Sequence, residues 1–227
     1  MPSTVVVGHL TAANKGARQK IINAVTKVSQ YSKQSEPGVL RYAVTIPRDA
    51  SDETSVYVIE EYANQAALDA HMGCKAVTDL ISDFTENGAT LFGGATNVYT
   101  SETSSAFVRP EITQCSDPFI AYASIDYKEG SRAGALDGWK KVTSETQNNE
   151  AHTLGYAILK DKSNDKTVST VEVYANETFF KEVHARSKAV ADNKAKFGEG
   201  HRTAFKLTLL KLVAGYFYKE KSGSPNL

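Results

Sequence analysis

Of 227 residues only two are cysteines, six are prolines and one is tryptophan, and 26 basic side chains cancel 26 acidic ones. Each scarcity removes a class of protein. Cys74 and Cys115 have no metal-type spacing and cannot form a disulfide framework, which points to a reducing, cytoplasmic setting. A neutral chain whose late lysines, Lys206, Lys211 and Lys219, alternate with apolar residues lacks the basic stripe that nucleic acid requires. No apolar run approaches the roughly 20 residues that span a bilayer, and the start, Met1-Pro2-Ser3-Thr4, leads into a short apolar run without a basic flank. A soluble protein without a membrane partner is expected. Neither Gly93-Gly94 nor Gly198-Glu199-Gly200 sits in a strand-to-helix Gly-x-Gly-x-x-Gly, and no Gly-x-Ser-x-Gly elbow occurs. The five histidines form no metal-type pair. The expectation is therefore no cofactor-binding motif and no metal.

What the chain does hold is a repeat. Glu60-Glu61-Tyr62-Ala63-Asn64 is followed by His71, Lys75-Ala76-Val77, Asp79 and Phe84; Glu172-Val173-Tyr174-Ala175-Asn176 is followed by His184, Lys188-Ala189-Val190, Asp192 and Phe197. Between tyrosine and histidine the second copy is one residue longer. Upstream, Leu40, Tyr42 and Ala43 match Leu154, Tyr156 and Ala157, and Gly16 and Arg18 match Gly130 and Arg132. Two copies of one domain stand in tandem. Each is small enough that its own core is limited, so a shared interface is expected.

β-branched and aromatic runs at Thr4–Leu10, Val39–Ile46 and Ser55–Tyr62 read as strands. Ile21, Ala24, Val25 and Val28 recur at helical spacing, and Pro37 ends that helix. A second helix is expected over 65–84 and a last strand over 89–99, broken by Gly93-Gly94. The order βαββαβ is the ferredoxin-like arrangement, with both helices on one face of an antiparallel sheet. The second copy reads the same way, with its helices at 132–147 and 177–197 and its last strand near 205–214. The fold class is α+β: two ferredoxin-like repeats packed sheet to sheet as an α+β barrel within one chain. The expected boundaries are 1–104, a linker at 105–117, a second domain at 118–220 and a disordered tail at 221–227.

Glu36-Pro37-Gly38 before the Tyr42 strand, Glu60-x-Tyr62, and Leu68 with His71 on the next helix resemble the antibiotic biosynthesis monooxygenase domain family. The second copy keeps Glu172-x-Tyr174 and His184 but has Glu150-Ala151-His152-Thr153 at the Glu-Pro-Gly position. The resemblance implies dimeric α+β barrels, here an internal pseudo-dimer with further homo-oligomerisation left open. It also implies chemistry drawn from cofactor-independent oxygenases of polycyclic aromatics, haem-degrading enzymes, isomerases and members without chemistry. Haem degradation in the family is expected to need a first-strand asparagine and a tryptophan in the Glu-x-aromatic position, where this chain has no asparagine and has Tyr62 or Tyr174.

Alternation puts Val58, Glu60 and Tyr62 on one face of their strand, which the resemblance turns toward the helices and the family's pocket. Glu60 and Glu172 read either as buried bases with raised pKa or as braces of the strand-to-helix corner. His71 and His184 read as pocket-edge bases or as helix-edge histidines bonded to a carbonyl. His9 either lies on an exposed edge or faces a cavity, and Trp139, at helical spacing with Leu136 and Val142, packs on the sheet or touches substrate. The functional expectation is a cofactor-independent monooxygenase for an aromatic polyketide-type phenol or anthrone in secondary metabolism. Molecular oxygen is the co-substrate and a small aromatic the partner. Its catalytic residues are expected to be His71, Tyr62 and Glu60, with His9, Tyr42, Trp139, Tyr174 and His184 binding substrate. The alternatives are a non-catalytic ligand-binding or stress-associated barrel, and a polyketide cyclase or isomerase. The fuller motif favours the first copy as the working one. One residue inserted into a helix turns all later positions by about 100°, so His184 matches His71 only if the turn absorbs it.

Overall fold

The computed structural model describes residues 2–219, and the expected tail at 221–227 lies outside them. The first repeat runs β1 (Thr4–Thr11), α1 (Lys15–Ser35), β2 (Val39–Pro47), β3 (Ser55–Tyr62), α2 (Gln65–Gly73), α3 (Lys75–Glu86), the short α4 (Gly88–Leu91) and β4 (Asn97–Val108). A 3₁₀ helix, Pro110–Gln114, leads to the second repeat. That repeat runs β5 (Phe119–Tyr127), α5 (Arg132–Asn149), β6 (Thr153–Asp161), β7 (Thr167–Tyr174), α6 (Glu177–Glu182), a 3₁₀ turn (His184–Arg186), α7 (Lys188–Phe197) and β8 (Arg202–Tyr216).

The eight strands close into one antiparallel barrel, β1-β3-β2-β8-β5-β7-β6-β4. Closure depends on two strands that serve both repeats. β4 pairs with its own β1 and with β6, while β8 pairs with its own β5 and with β2. This is the expected fold, two ferredoxin-like repeats facing each other across a barrel core. That core draws Val7 and Ile59 from one repeat and Ile120, Leu159, Val171 and Leu210 from the other. Burying each such side chain stabilises the fold by about 1.5–3 kcal/mol. The repeats therefore share the apolar face that neither can cover alone.

Three details differ from the sequence reading. The last strand of the first repeat lies at Asn97–Val108 and not at 89–99, where Gly88–Leu91 forms a helical turn. Ser and Thr dominate this strand, so it carries no apolar alternation. The segment expected as linker, 105–117, includes the end of β4 and the 3₁₀ helix. The single helix expected in each repeat after the third strand is broken, at Cys74 for 65–84 and at Val183–Ser187 for 177–197.

Local chemistry explains the repeated Tyr-Ala-Asn. Asn64 caps α2 by accepting from Ala67 N at 2.9 Å, and Asn176 caps α6 by accepting from Phe179 N at 2.8 Å. Such a cap is worth about 1 kcal/mol and fixes where each helix leaves the strand. Gly38 serves the same corner, since a Cβ there would lie 2.7 Å from Ala67 Cβ. One end of the barrel is plugged. There Phe217 and Ile112 pack into the core, and Arg41 pairs with Glu61 at 3.1 Å. Tyr218 Oη and Ser3 Oγ also donate to Glu61, at 2.7 and 2.8 Å. Glu61 thus belongs to the barrel plug, while its neighbour Glu60 points to the helices.

Candidate functional site

Beneath the helices of the first repeat, β2, β3, α2 and the end of α1 bring six side chains together. His71 on α2 bonds through Nδ1 to Glu36 Oε2 at 2.9 Å, and its Nε2 lies 3.8 Å from Glu60 Oε2. Tyr62 Oη donates to Glu60, Ser32 Oγ donates to Glu36 at 2.6 Å, and the Tyr42 ring stands 5.9 Å from the imidazole. A carboxylate only accepts, so Glu36 fixes the proton on Nδ1 and leaves the Nε2 lone pair free.

The second repeat reproduces this cluster. His184 Nδ1 lies 2.9 Å from Glu150 Oε2 and its Nε2 3.8 Å from Glu172 Oε2. Tyr174 Oη donates to Glu172 at 2.7 Å and Thr153 Oγ1 to Glu150 at 2.9 Å. The extra residue does not rotate His184 away. Val183, at φ −111° and ψ −66°, ends α6, and the adjoining 3₁₀ turn returns the imidazole to register. Loss of Pro-Gly after Glu150 is likewise harmless to the cluster, because only the glutamate reaches the histidine.

Burial sets the electrostatics. Desolvation raises the Glu60 pKa, opposed by the Tyr62 hydroxyl and by His71. Burial and then the adjacent glutamate push Tyr62, Tyr156 and Tyr174 far above the ordinary phenol value, so all three stay neutral donors. Each cluster thus offers neutral phenols and one imidazole nitrogen able to take a proton.

What surrounds the clusters differs. In the second repeat His184, Glu172 and Tyr156 line a cavity of about 390 Å³ walled by Trp139, Phe180, Val190, Phe205 and Leu207. Three polar atoms of residues lining it, Tyr156 Oη, Asn193 Oδ1 and Arg202 Nε, are buried without a hydrogen-bond partner. Each such atom costs about 1–3 kcal/mol unless something meets it. In the first repeat the matching positions hold Val25 for Trp139 and Leu80 for Asn193, both packed in the apolar cluster that includes Ile21 and Tyr216. Phe92 pairs with Ala12 where Arg202 pairs with Tyr127, and its ring meets Phe84 edge-on at 5.2 Å. There, apolar side chains occupy the positions that border the cavity in the second repeat.

The residues expected to form one site are therefore divided among three places. His71, Tyr62, Glu60 and Tyr42 form the first cluster, while His184, Tyr174 and Trp139 belong to the second repeat, where Trp139 Nε1 donates to Tyr127 Oη at 2.9 Å. His9 joins neither. It faces the barrel interior near the open end, stacked on Tyr57 with centroids 4.3 Å apart, and burial and Lys206 lower its pKa. Sequence reasoning left Asn193 and Arg202 without a site role, although Leu80 against Asn193 is visible once the repeats are aligned. Glu36, His71 and Cys74 each place one ligand atom within 4.8 Å of the others, so a metal ion has a potential three-ligand set in the first repeat. The thiol has no counterpart in the second, where Ser187 stands in its place.

Among the described residues no helix is long and apolar enough to cross a membrane. No curated protein matches the chain. Among solved structures, a candidate monooxygenase from Fusobacterium nucleatum is 20% identical, with a TM-score of 0.80 over 96% of this chain and 98% of that one. A candidate monooxygenase from Lactobacillus acidophilus is 16% identical, with a TM-score of 0.76 over 97% and 100% of the two chains. An anthrone oxidase-like protein is 11% identical, with a TM-score of 0.66 over 99% and 97%. At such identities the likeness is one of fold, and it extends over both repeats. Residues 4–81 match the family described as antibiotic biosynthesis monooxygenase. The match lies within the first repeat, and the second repeat closes the barrel with a further copy of the same fold.

Proposed function

We propose that the protein is a cofactor-independent monooxygenase that oxidises an electron-rich polyketide-derived aromatic, a phenol or anthrone, in the cytoplasm, using the cavity of the second repeat. The observation that carries this reading is His184, held by Glu150 with Nε2 free, at the edge of a cavity whose lining includes the unpartnered buried Tyr156 Oη and Arg202 Nε. Without flavin or metal the substrate itself must reduce oxygen. His184 Nε2 removes the acidic C–H or O–H proton, and Glu150 and Glu172 on either side stabilise the imidazolium. Tyr156, a neutral phenol beside Glu172, donates to the developing oxyanion. The anion passes one electron to O₂, and the radical pair joins as a carbon-bound peroxide that takes the proton back from His184. Loss of the second C–H proton with cleavage of the O–O bond leaves a carbonyl and water. For an anthrone the sum is ArCH₂ + O₂ → ArC=O + H₂O, with all four electrons from substrate.

The test is oxygen uptake with 1,8-dihydroxyanthrone against the spontaneous rate. One O₂ consumed per anthrone, quinone formed, no hydrogen peroxide released and no loss of rate with chelator are the expected results. Uptake no faster than without protein, or peroxide released in step with quinone, overturns the reading. The first repeat holds an equivalent cluster among apolar neighbours, which favours a purely structural role for the motif there. Saturable binding without uptake would extend that role to the second repeat and leave a ligand-binding protein.

A further inference from the structure

The cavity of the second repeat is a slot with unlike ends. At one end stand His184, Glu172 and Tyr156. At the other, the half-buried Arg202 enters from the start of β8 and the exposed Lys194 of α7 stands at the rim. Arg202 pairs with Tyr127 on β5 and Glu172 with Ala121 on the same strand. Six residues of rise and two strand spacings put their backbones roughly 20 Å apart. Side chains reach inward from both ends, so the space between suits a long flat molecule better than a single ring.

The far end is cationic and uncompensated. Arg202 Nε is buried without a partner, and among the described residues neither Arg202 nor Lys194 makes an ion pair. The guanidinium lies over Trp139 at 5.9 Å and Phe205 at 5.7 Å, which hold its plane but satisfy none of its N–H donors. Guanidinium donors match a carboxylate in geometry and charge. Asn193 Oδ1, though unpartnered, lies against Gly138 in the seam between α5 and α7, where an added Cβ would come within 2.4 Å of it, so it is not a ligand contact. In the first repeat the pairing position of Arg202 is taken by Phe92 and that of Asn193 by Leu80, so neither polar group is needed to build the fold.

We infer that the slot takes a polycyclic aromatic bearing a carboxylate, bound at Arg202 with Lys194 beside it at the rim, and with the reacting ring turned to His184. This deepens the proposed function by naming the substrate class of its site, but it concerns binding and stands or falls apart from turnover. Arg202 is the residue that selects an acid over its neutral counterpart.

Trp139 is the only tryptophan and lines the cavity, so its fluorescence reports occupancy directly. The probes are anthraquinone-2-carboxylate, which cannot be oxidised further, and its primary amide. The acid is expected to bind the full chain at least roughly tenfold more tightly than the amide, as one charge-assisted contact allows. Arg202→Met is expected to abolish that preference, and Arg202→Lys to restore part of it. Amide affinity within about twofold of the parent shows that Arg202→Met remains folded. Equal affinity for acid and amide in the parent, or a preference that survives Arg202→Met, overturns the inference. Failure of oxygen uptake with the acid preference intact removes the oxygenase reading alone. Anthrone oxidation with no preference for the acid removes this one alone.

Discussion

In the first repeat, Val25, Leu80 and Phe92 occupy an apolar core beside the Glu36–His71–Glu60 cluster; in the second, Trp139, Asn193 and Arg202 stand at the matching positions beside Glu150–His184–Glu172. The carboxylate–imidazole–carboxylate arrangement is common to both. It is therefore part of the framework, a buried polar brace that joins two strands and two helices, and its presence does not distinguish a working site. Capacity for a ligand is decided a few residues away, where apolar side chains give way to groups that need partners. Gly138 belongs to this change, since a Cβ there would meet Asn193 Oδ1 at 2.4 Å and the Phe197 ring at 2.7 Å and force α5 away from α7.

The most severe way to break the comparison is to separate its halves. Introducing a protease site into the 109–118 segment and cleaving should leave both fragments co-eluting, because β2 pairs with β8 and β4 with β6 across the cut. Two fragments that part as stable folded monomers would show that the repeats are independent. Next, His184→Ala is expected to lower turnover roughly 10²- to 10⁴-fold while His71→Ala changes it little. His71→Ala should instead cost about 1–3 kcal/mol in urea unfolding by orphaning Glu36. Equal kinetic losses from both would mean two working sites. Trp139→Val, which gives the second repeat the residue of the first, should cost about 2–4 kcal/mol through the lost ring and the unpaired Tyr127 hydroxyl. A smaller cost would mean that the cavity walls collapse into the gap.

The mildest effect is one of pH. Burial raises the Glu60 carboxyl above its usual 4.5, so the folded state holds a proton that the unfolded chain has released. Stability therefore falls as pH rises from about 4.5 through the folded value, by at most ~1.4 kcal/mol per pH unit. Glu60→Gln should flatten this slope in urea titrations above pH 4.5. An unchanged slope would place its source elsewhere.

The fold was legible because the repeat is nearly undisguised and its strands are rich in β-branched and aromatic residues. β4 was misplaced because a Ser- and Thr-rich strand, paired on both sides, shows no apolar period. The clusters were half legible. The histidines and the Glu-x-Tyr pairs carry motifs, but the role of Glu150 was hidden by loss of its Pro-Gly neighbours. His9 shows the reverse error, since a histidine in a β-branched run reveals burial without saying which face of the sheet it takes. Asn193 and Arg202 lie in no motif and are brought together only by α7 folding across the start of β8.

A barrel assembled from two identical chains must accept every substitution twice, once on each side of its axis. Here β4 and β8 cross between repeats that are joined by a covalent segment, so a substitution falls on one side only. Symmetry then constrains the backbone and no longer the side chains. One half can stay packed and hold the closure in place while the other gives up apolar contacts for a cavity. Because the same strands bind the halves into one cooperative unit, a ligand gripped by the second repeat would raise the melting temperature of the first as well.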